Sequence, residues 1–176
     1  MGGVAKGNLL APDGRTLLSR LVALTTAALP GARVVLVGDS EAYDALAMPA
    51  IPDTPPGIGP LGGLAALLAF AERAGSADAI ALSCDLPYLG VNLIERLARE
   101  FPGALALAPR ADGRWSPLTA RYAVSALTAV ANAIARRAHS LQRVFDELGA
   151  RAHELPLTDE ERLELRDWDR PEDIVR

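Results

Sequence analysis

LGGLAALLAFAERAGSADAIALSCDLPY, residues Leu61 to Tyr88, is the stretch on which the fold turns. Its first half, Leu61 to Arg73, reads as an amphipathic helix, and Ala79 to Cys84 is a short apolar run of strand character. The run ends in Asp85, and Pro87 forbids its continuation, so a carboxylate is fixed at the tip of a rigid element. The same unit recurs on both sides. Val34-Val35-Leu36-Val37, within a strand predicted over Arg33 to Val37, is apolar on both faces, as a parallel strand covered by helices must be. A helix over Asn92 to Phe101 precedes another apolar run, Ala104 to Ala108. This alternation argues for βαβ units and for a three-layer α/β fold with a mostly parallel, Rossmann-like sheet.

Towards the amino end, Asn8 to Arg15 reads as an extended piece closed by a Pro12-Asp13-Gly14 turn. A helix capped by Thr16 follows and is stopped by Pro30-Gly31. Beyond Pro109 the order changes. A turn at Ala111 to Arg114 leads into a strand over Trp115 to Tyr122, then helices over Ser125 to Arg137 and Ser140 to Leu148. Leu141, Val144, Phe145 and Leu148 are spaced for one buried face. Arg151 to Leu155 is a candidate last strand, and Pro171 to Arg176 the first turn of a helix.

Half of the 176 residues are hydrophobic, enough for one substantial core, so residues 1 to 176 are expected to form a single domain. A net charge of -4 with interspersed signs provides no basic stripe for a nucleic-acid backbone. The longest apolar run, Leu61 to Ala71, falls short of the ~18 residues of a membrane span. Met1 to Gly7 lacks the features of a secretory signal, and the lone Cys84 excludes an internal disulfide framework; cytoplasmic residence is the expectation. Among 18 Lys and Arg residues only Lys6 is lysine, which draws attention to a position where a compact ammonium is kept.

Ligands of open parallel sheets bind beyond the carboxyl ends of the strands, which singles out three places. Asp85 is suited to Mg²⁺, which takes one or two carboxylates together with phosphate oxygens; it reads equally as a cap for the next helix. Asp53 precedes the Gly/Pro-rich loop Thr54 to Gly63, where glycines admit close backbone approach and a helix start offers free amides; a plain turn of small residues is the other reading. Met1 to Gly7 is glycine-rich and carries Lys6, either as part of a site or as a flexible tail. His139 and His153 sit in no metal-ligand spacing, and Trp115 and Trp168 read as core or rim aromatics.

Taken in order, these places resemble one family, the molybdenum cofactor guanylyltransferases among the MobA-like nucleotidyltransferases. The family opens with a strand and Leu-x-Gly-Gly-x-Ser-x-Arg-Met-Gly-x-Asp-Lys, and Met1 to Lys6 is similar to the end of that motif through Gly2, Gly3 and Lys6. Asp53 and Gly59-Pro60-Leu61-Gly62-Gly63 match its Asp and Gly-Pro-Leu-x-Gly loop, and Cys84-Asp85-Leu86-Pro87-Tyr88 its Cys-Asp-x-Pro-aromatic strand end. Pro117 to Tyr122, Ser140-Leu141 and Asp167 to Ile174 resemble later motifs, so the likeness spans essentially the whole chain. The departures are Ala5 for an aspartate, Asp167 and Asp169 for asparagines, and the first strand and phosphate loop, which are expected upstream of Met1.

The resemblance implies a nucleotide-diphospho-sugar transferase-like fold and transfer of GMP from GTP to the terminal phosphate of molybdenum-bound molybdopterin. It implies Mg²⁺ held by Asp85, with Asp169, or failing it Asp167, completing the shell or touching the pterin substrate, Lys6 as a positive charge on the phosphates, and Gly2, Gly3, Asp53, Gly59, Pro60, Leu61 and Gly62 about the nucleotide. Molybdoenzymes or their chaperones would be partners. Two rivals stand beside it: cytidylyl transfer to the same cofactor, disfavoured by the Gly59 to Leu64 stretch, and a degenerate member that binds without catalysis, motivated by Ala5.

Overall fold

The computed structural model describes residues 5–38, 43, 47–111 and 113–168. The helical turn expected over Pro171 to Arg176, and Gly2, Gly3 and Asp169, lie outside the described residues.

A 3-10 turn at Lys6–Asn8 leads into the Pro12-Asp13-Gly14 turn, closed by Gly14 N–H to Ala11 O at 2.9 Å and by a Leu10–Thr16 bridge. Helix α1 (Leu17–Ala28) then starts where the Thr16 hydroxyl accepts from Ser19 N–H at 3.2 Å, the cap its sequence predicts. Strand β1 (Leu36–Val37) pairs in parallel with β2 (Ala50–Ile51). Helix α2 (Pro60–Arg73) opens with proline in its first turn, where a missing N–H costs nothing. After it come β3 (Asp78–Leu82), α3 (Val91–Arg99) and β4 (Ala106–Ala108). A short hairpin, β5 (Arg110–Ala111) with β6 (Arg114–Trp115), precedes β7 (Thr119–Ala123), α4 (Leu127–Ala135), α5 (Leu141–Leu148), β8 (Ala152–Glu154) and α6 (Asp159–Glu164).

The main sheet has the order β3-β7-β4-β8, with β7 antiparallel to β3 and β4, and β8 parallel to β4. Helices cover both faces. Ala79, Ala81, Ala106, Ala108, Ala120 and Tyr122 face α2, α4 and α5, where Leu61, Leu68, Val130, Val144 and Phe145 fill the core. Small side chains on this face let the helices approach closely, and the few large ones interdigitate: Phe145 lies 5.7 Å from Tyr122 and 4.6 Å from Trp115 between ring centroids. On the opposite face Ile80, Leu82, Leu107 and Leu155 meet α1 and α3 through Ala28, Leu93, Ile94 and Leu97. Each fully buried leucine or isoleucine here contributes about 1.5–3 kcal/mol of transfer free energy.

The sequence reading of a three-layer α/β fold holds, and in the main sheet the strands other than β7 share one direction. β3 and β4 are both antiparallel to β7. β1 runs the same way as β3. Its end, Val37, lies against the first turn of α2 at Gly63, whereas β3 begins beside the last turn of α2.

Several boundaries differ. The strand expected over Arg33 to Val37 is paired only at Leu36–Val37, because β2 offers just two residues of partner. The strand expected over Trp115 to Tyr122 is two strands: Pro117 has no N–H to give a ladder, and a turn bonded by Thr119 N–H to Ser116 O at 3.0 Å separates β6 from β7. The helix expected over Ser125 to Arg137 begins as a 3-10 turn at Val124–Ala126 and ends at Ala135. Helix α6 was not expected at all, although Thr158 and Glu161 form a full capping box around its start.

Candidate active site

Three strand ends and two loops meet at one edge of the molecule. β3 delivers Ser83, Cys84 and Asp85 there, and the buried Leu86 and Pro87 turn the chain away. Lys6 reaches the same point from far away in sequence, its Nζ 3.0 Å from Asp85 Oδ2. The Ser83 hydroxyl donates to the other carboxylate oxygen, Oδ1. Asp85 is thus held on both oxygens, and its side chain is only 16% exposed. The main chain is fixed too, since Trp168 N–H donates to Asp85 O at 3.0 Å, and the Trp168 ring meets Tyr88 edge-on at 6.3 Å. This bond sets the exposed Asp167 in the neighbourhood of the Asp85 main chain.

Tyr43 closes the side towards β1. Its hydroxyl accepts from Gly7 N–H at 3.2 Å and stands beside the Cys84 thiol. Burial pushes the Cys84 thiol above its ordinary range, and the neighbouring Asp85 carboxylate adds to the effect, so the thiol stays protonated at neutral pH. Burial likewise raises the Tyr43 phenol.

Asp53 follows β2 and lies between β1 and the start of α2. Its Oδ1 is 3.2 Å from where a Cβ on Gly63 would stand and 3.7 Å from the equivalent position on Gly38. The loop into α2 depends on two glycines. Gly59, at φ +72°, occupies the left-handed region, and a Cβ on Gly62 would come within 2.4 Å of Pro55 O. Gly59 and Pro60 are exposed on the cavity described below, whereas Gly62 is buried and the Leu61 side chain is 0% exposed. Leu61 thus has no surface open to a ligand, main chain included.

A cavity of about 610 Å³ runs inward from this edge, reached by Tyr43, Asp53, Gly59, Pro60, Ser83 and Cys84. The structure thus gathers Lys6, Asp85, Asp53 and the Gly59 loop at one end of the sheet, as their places after strands predict. Ser83 and Tyr43 were not singled out by sequence. A hydroxyl two residues before a strand-end carboxylate was a usable local signal for Ser83, whereas Tyr43 has none, lying 36 residues from the Gly7 amide it meets. The histidines stand apart: His139 is exposed and His153 packs against Phe101 at 5.1 Å. Trp168 is buried core, and Trp115 lies under the Arg110 guanidinium at 4.1 Å.

Asp85 is an all-oxygen, hard donor, and its two present bonds leave lone pairs unused. Among the described residues no group of three His, Cys, Asp or Glu side chains gathers for a metal. These residues fit a cation that takes most of its ligands from phosphate and water, the habit of Mg²⁺, and not a closed protein cage.

Residues 1–153 match the model of the MobA-like NTP transferase domain. The chain belongs to the MobA-like NTP transferase family. A curated relative from Opitutus terrae, a probable molybdenum cofactor guanylyltransferase, is 30% identical over 166 residues, covering 93% of this chain and 82% of its own. Among solved structures, molybdopterin-guanine dinucleotide biosynthesis protein A of Archaeoglobus fulgidus superposes with a TM-score of 0.72 at 21% identity, over 97% of this chain and 87% of the other. The 2-C-methyl-D-erythritol 4-phosphate cytidylyltransferase of Thermus thermophilus gives 0.66 at 18% identity, over 96% and 89%. These structures share the fold of this MobA-like domain, that of nucleotide-diphospho-sugar transferase-like nucleotidyltransferases. Among its described residues no helix is long and apolar enough to cross a membrane.

Proposed function

We propose that this MobA-like nucleotidyltransferase transfers GMP from GTP to the terminal phosphate of molybdenum-bound molybdopterin in the cytoplasm, with Mg²⁺ as cofactor. One bond forms, from the acceptor phosphate oxygen to the α-phosphorus of GTP, and one breaks, from that phosphorus to the departing pyrophosphate. The obstacle is electrostatic, because two anions must approach in line. The observation that carries the reading is the Lys6–Asp85 pair at the end of β3, 3.0 Å apart, inside a family whose members are nucleotidyltransferases.

Asp85 is the residue to anchor Mg²⁺, and Asp169 or Asp167 would complete the shell. When bound, the metal neutralises phosphate charge and polarises the leaving pyrophosphate. Lys6 supplies a mobile point charge: with nucleotide present its ammonium moves from carboxylate to phosphate oxygens, and Ser83 keeps Asp85 oriented during the exchange. Asp53 would orient the nucleotide near its base or ribose, with the backbone of the Gly59 to Gly63 loop alongside and Gly2 and Gly3 also about the nucleotide. The finished dinucleotide cofactor would pass to molybdoenzymes or their chaperones.

Turnover with GTP, CTP and ATP on molybdenum-loaded molybdopterin tests the assignment. GTP is expected to be preferred, and a preference for CTP would assign cytidylyl transfer instead. Asp85→Ala is expected to lower turnover by about two orders of magnitude or more, the scale of losing one electrostatic stabiliser. Near-normal activity in that variant would refute the metal role. Calorimetry with GTP and Mg²⁺ separates a binding-only member, which would show heat without turnover.

A further inference from the structure

Asp85 heads a stretch with no ladder of its own. Between β3 and α3 the chain turns through Asp85-Leu86-Pro87-Tyr88-Leu89-Gly90, and an internal bond, Leu89 N–H to Leu86 O, is long at 3.5 Å. Buried Leu86 and Leu89 moor its middle in the apolar cluster of α1 and α3. Both ends are taken by one segment from far along the chain. At the first, Trp168 N–H donates to Asp85 O at 3.0 Å. At the last, Glu164 Oε2 accepts from Gly90 N–H at 2.7 Å, 74 positions away. Glu164 ends α6, and both residues stand beyond 1–153, the span that matches the family's domain.

The segment is itself tied down. Glu161, three residues before Glu164 and so on the same side of α6, is bonded by Arg96 of α3, and Trp168 is buried against Ala11 and Leu17. Placing an acid at residue 164 is costly: burial raises its carboxyl above the ordinary range, and the Gly90 bond works against that rise. Gly90 is shaped for the contact. At φ -107° and ψ 163° its backbone suits any residue, but a Cβ would stand 2.9 Å from Glu164 Oε2. The carboxylate, and not the turn, demands the glycine.

We infer that Glu164 and Trp168 are positioning residues, a strap that holds the Asp85 turn at both ends while the aspartate side chain changes partners. This role rests on the nucleotidyl-transfer reading, in which Lys6 leaves Asp85 for phosphate oxygens. Of the two bonds on the carboxylate among the described residues, only that from Ser83 then remains, and one bond leaves the group free to swing. Main chain has to supply the rest. With Asp85 O and Gly90 N–H both held, the turn cannot tilt without breaking a bond, and a displacement of about 1 Å costs about a hundredfold in rate.

The native chain would be compared with Glu164→Ala, Gly90→Ala and Glu164→Gln. The first removes the acceptor, the second pushes it away with a methyl, and the third keeps an oxygen that accepts. Hydrogen exchange of the Trp168 amide is expected to quicken by about tenfold in the two alanine variants, while amides of β4 in mid-sheet stay as they are. The Mg²⁺ concentration for half-maximal GTP turnover should rise by about tenfold in the same two, the scale of losing an outer-shell support. Glu164→Gln should follow the native chain in both measurements. Equal Trp168 exchange in all four chains would overturn the strap. Quickening shared by β4 would do so too, because the variants would then have loosened the whole fold. An equal loss in Glu164→Gln would also sink it, since charge and not the bond to Gly90 would then matter. If the native chain turns over no nucleotide, the transferase reading fails, and Trp168 exchange decides the strap by itself.

Discussion

Lys6 carries the chain's one lysine ammonium to a carboxylate 79 positions away, and that convergence defines the chemistry available at the sheet edge. Lys6→Met keeps the stem and removes the charge, so on our reading it should lower kcat in steady-state assays by about tenfold or more, with stability little changed because the pair is part-exposed. Gly62 makes a different demand. A methyl there meets the backbone oxygen of Pro55 at 2.4 Å, so Gly62→Ala should destabilise by about 1–3 kcal/mol in a denaturant titration. The site was legible in part. Asp85, Asp53 and the glycine loop announce themselves by standing after apolar strands, but nothing in spacing joins Lys6 to Asp85, and only likeness to a family did so. Tyr43 was illegible, since its role arises from two distant loops meeting at Gly7 and Cys84.

At the scale of elements, α6 and α3 are clamped by Arg96, whose guanidinium reaches Glu161 Oε1 at 2.6 Å, Glu100 Oε1 at 2.7 Å and Pro156 O at 2.8 Å. Burial alone would raise the Glu161 carboxyl, but the Arg96 bonds and the Thr158 amide outweigh it and hold the group below its ordinary 4.5. A depressed carboxyl contributes stability above its unfolded value and loses it as pH falls through the folded one. Melting temperature should therefore drop below about pH 4.5 more steeply in the native chain than in Glu161→Gln, as scanning calorimetry across pH would reveal. Thr158→Ala, by removing the cap at 3.2 Å from Glu161 N–H, should cost about 1 kcal/mol. The Thr158-x-x-Glu161 pattern is the one local mark of α6, which was not expected because its six residues are too few for a hydrophobic period to signal it. Strand β1 was over-read for the opposite reason: Val34 to Val37 has the composition of a covered strand, but length of pairing is set by the neighbour.

For the molecule as a whole, one core side chain joins the layers. Phe145 on α5 is 1% exposed, stacks on Trp115 and meets Tyr122 of the sheet, so Phe145→Ala should cost about 3–5 kcal/mol in equilibrium unfolding. The layer order was readable from the alternation of apolar runs and helices; the insertion of β7 between β3 and β4 was not, because pairing partners distant in sequence leave no local mark. That insertion reaches beyond the finished fold. The nascent polypeptide presents β3 some 40 residues before its neighbour is complete, which at about 5–20 residues per second leaves roughly 2–8 s with that strand unzipped on the ribosome. Slowing codons between Leu82 and Thr119 should lengthen this interval and increase chaperone dependence during biogenesis.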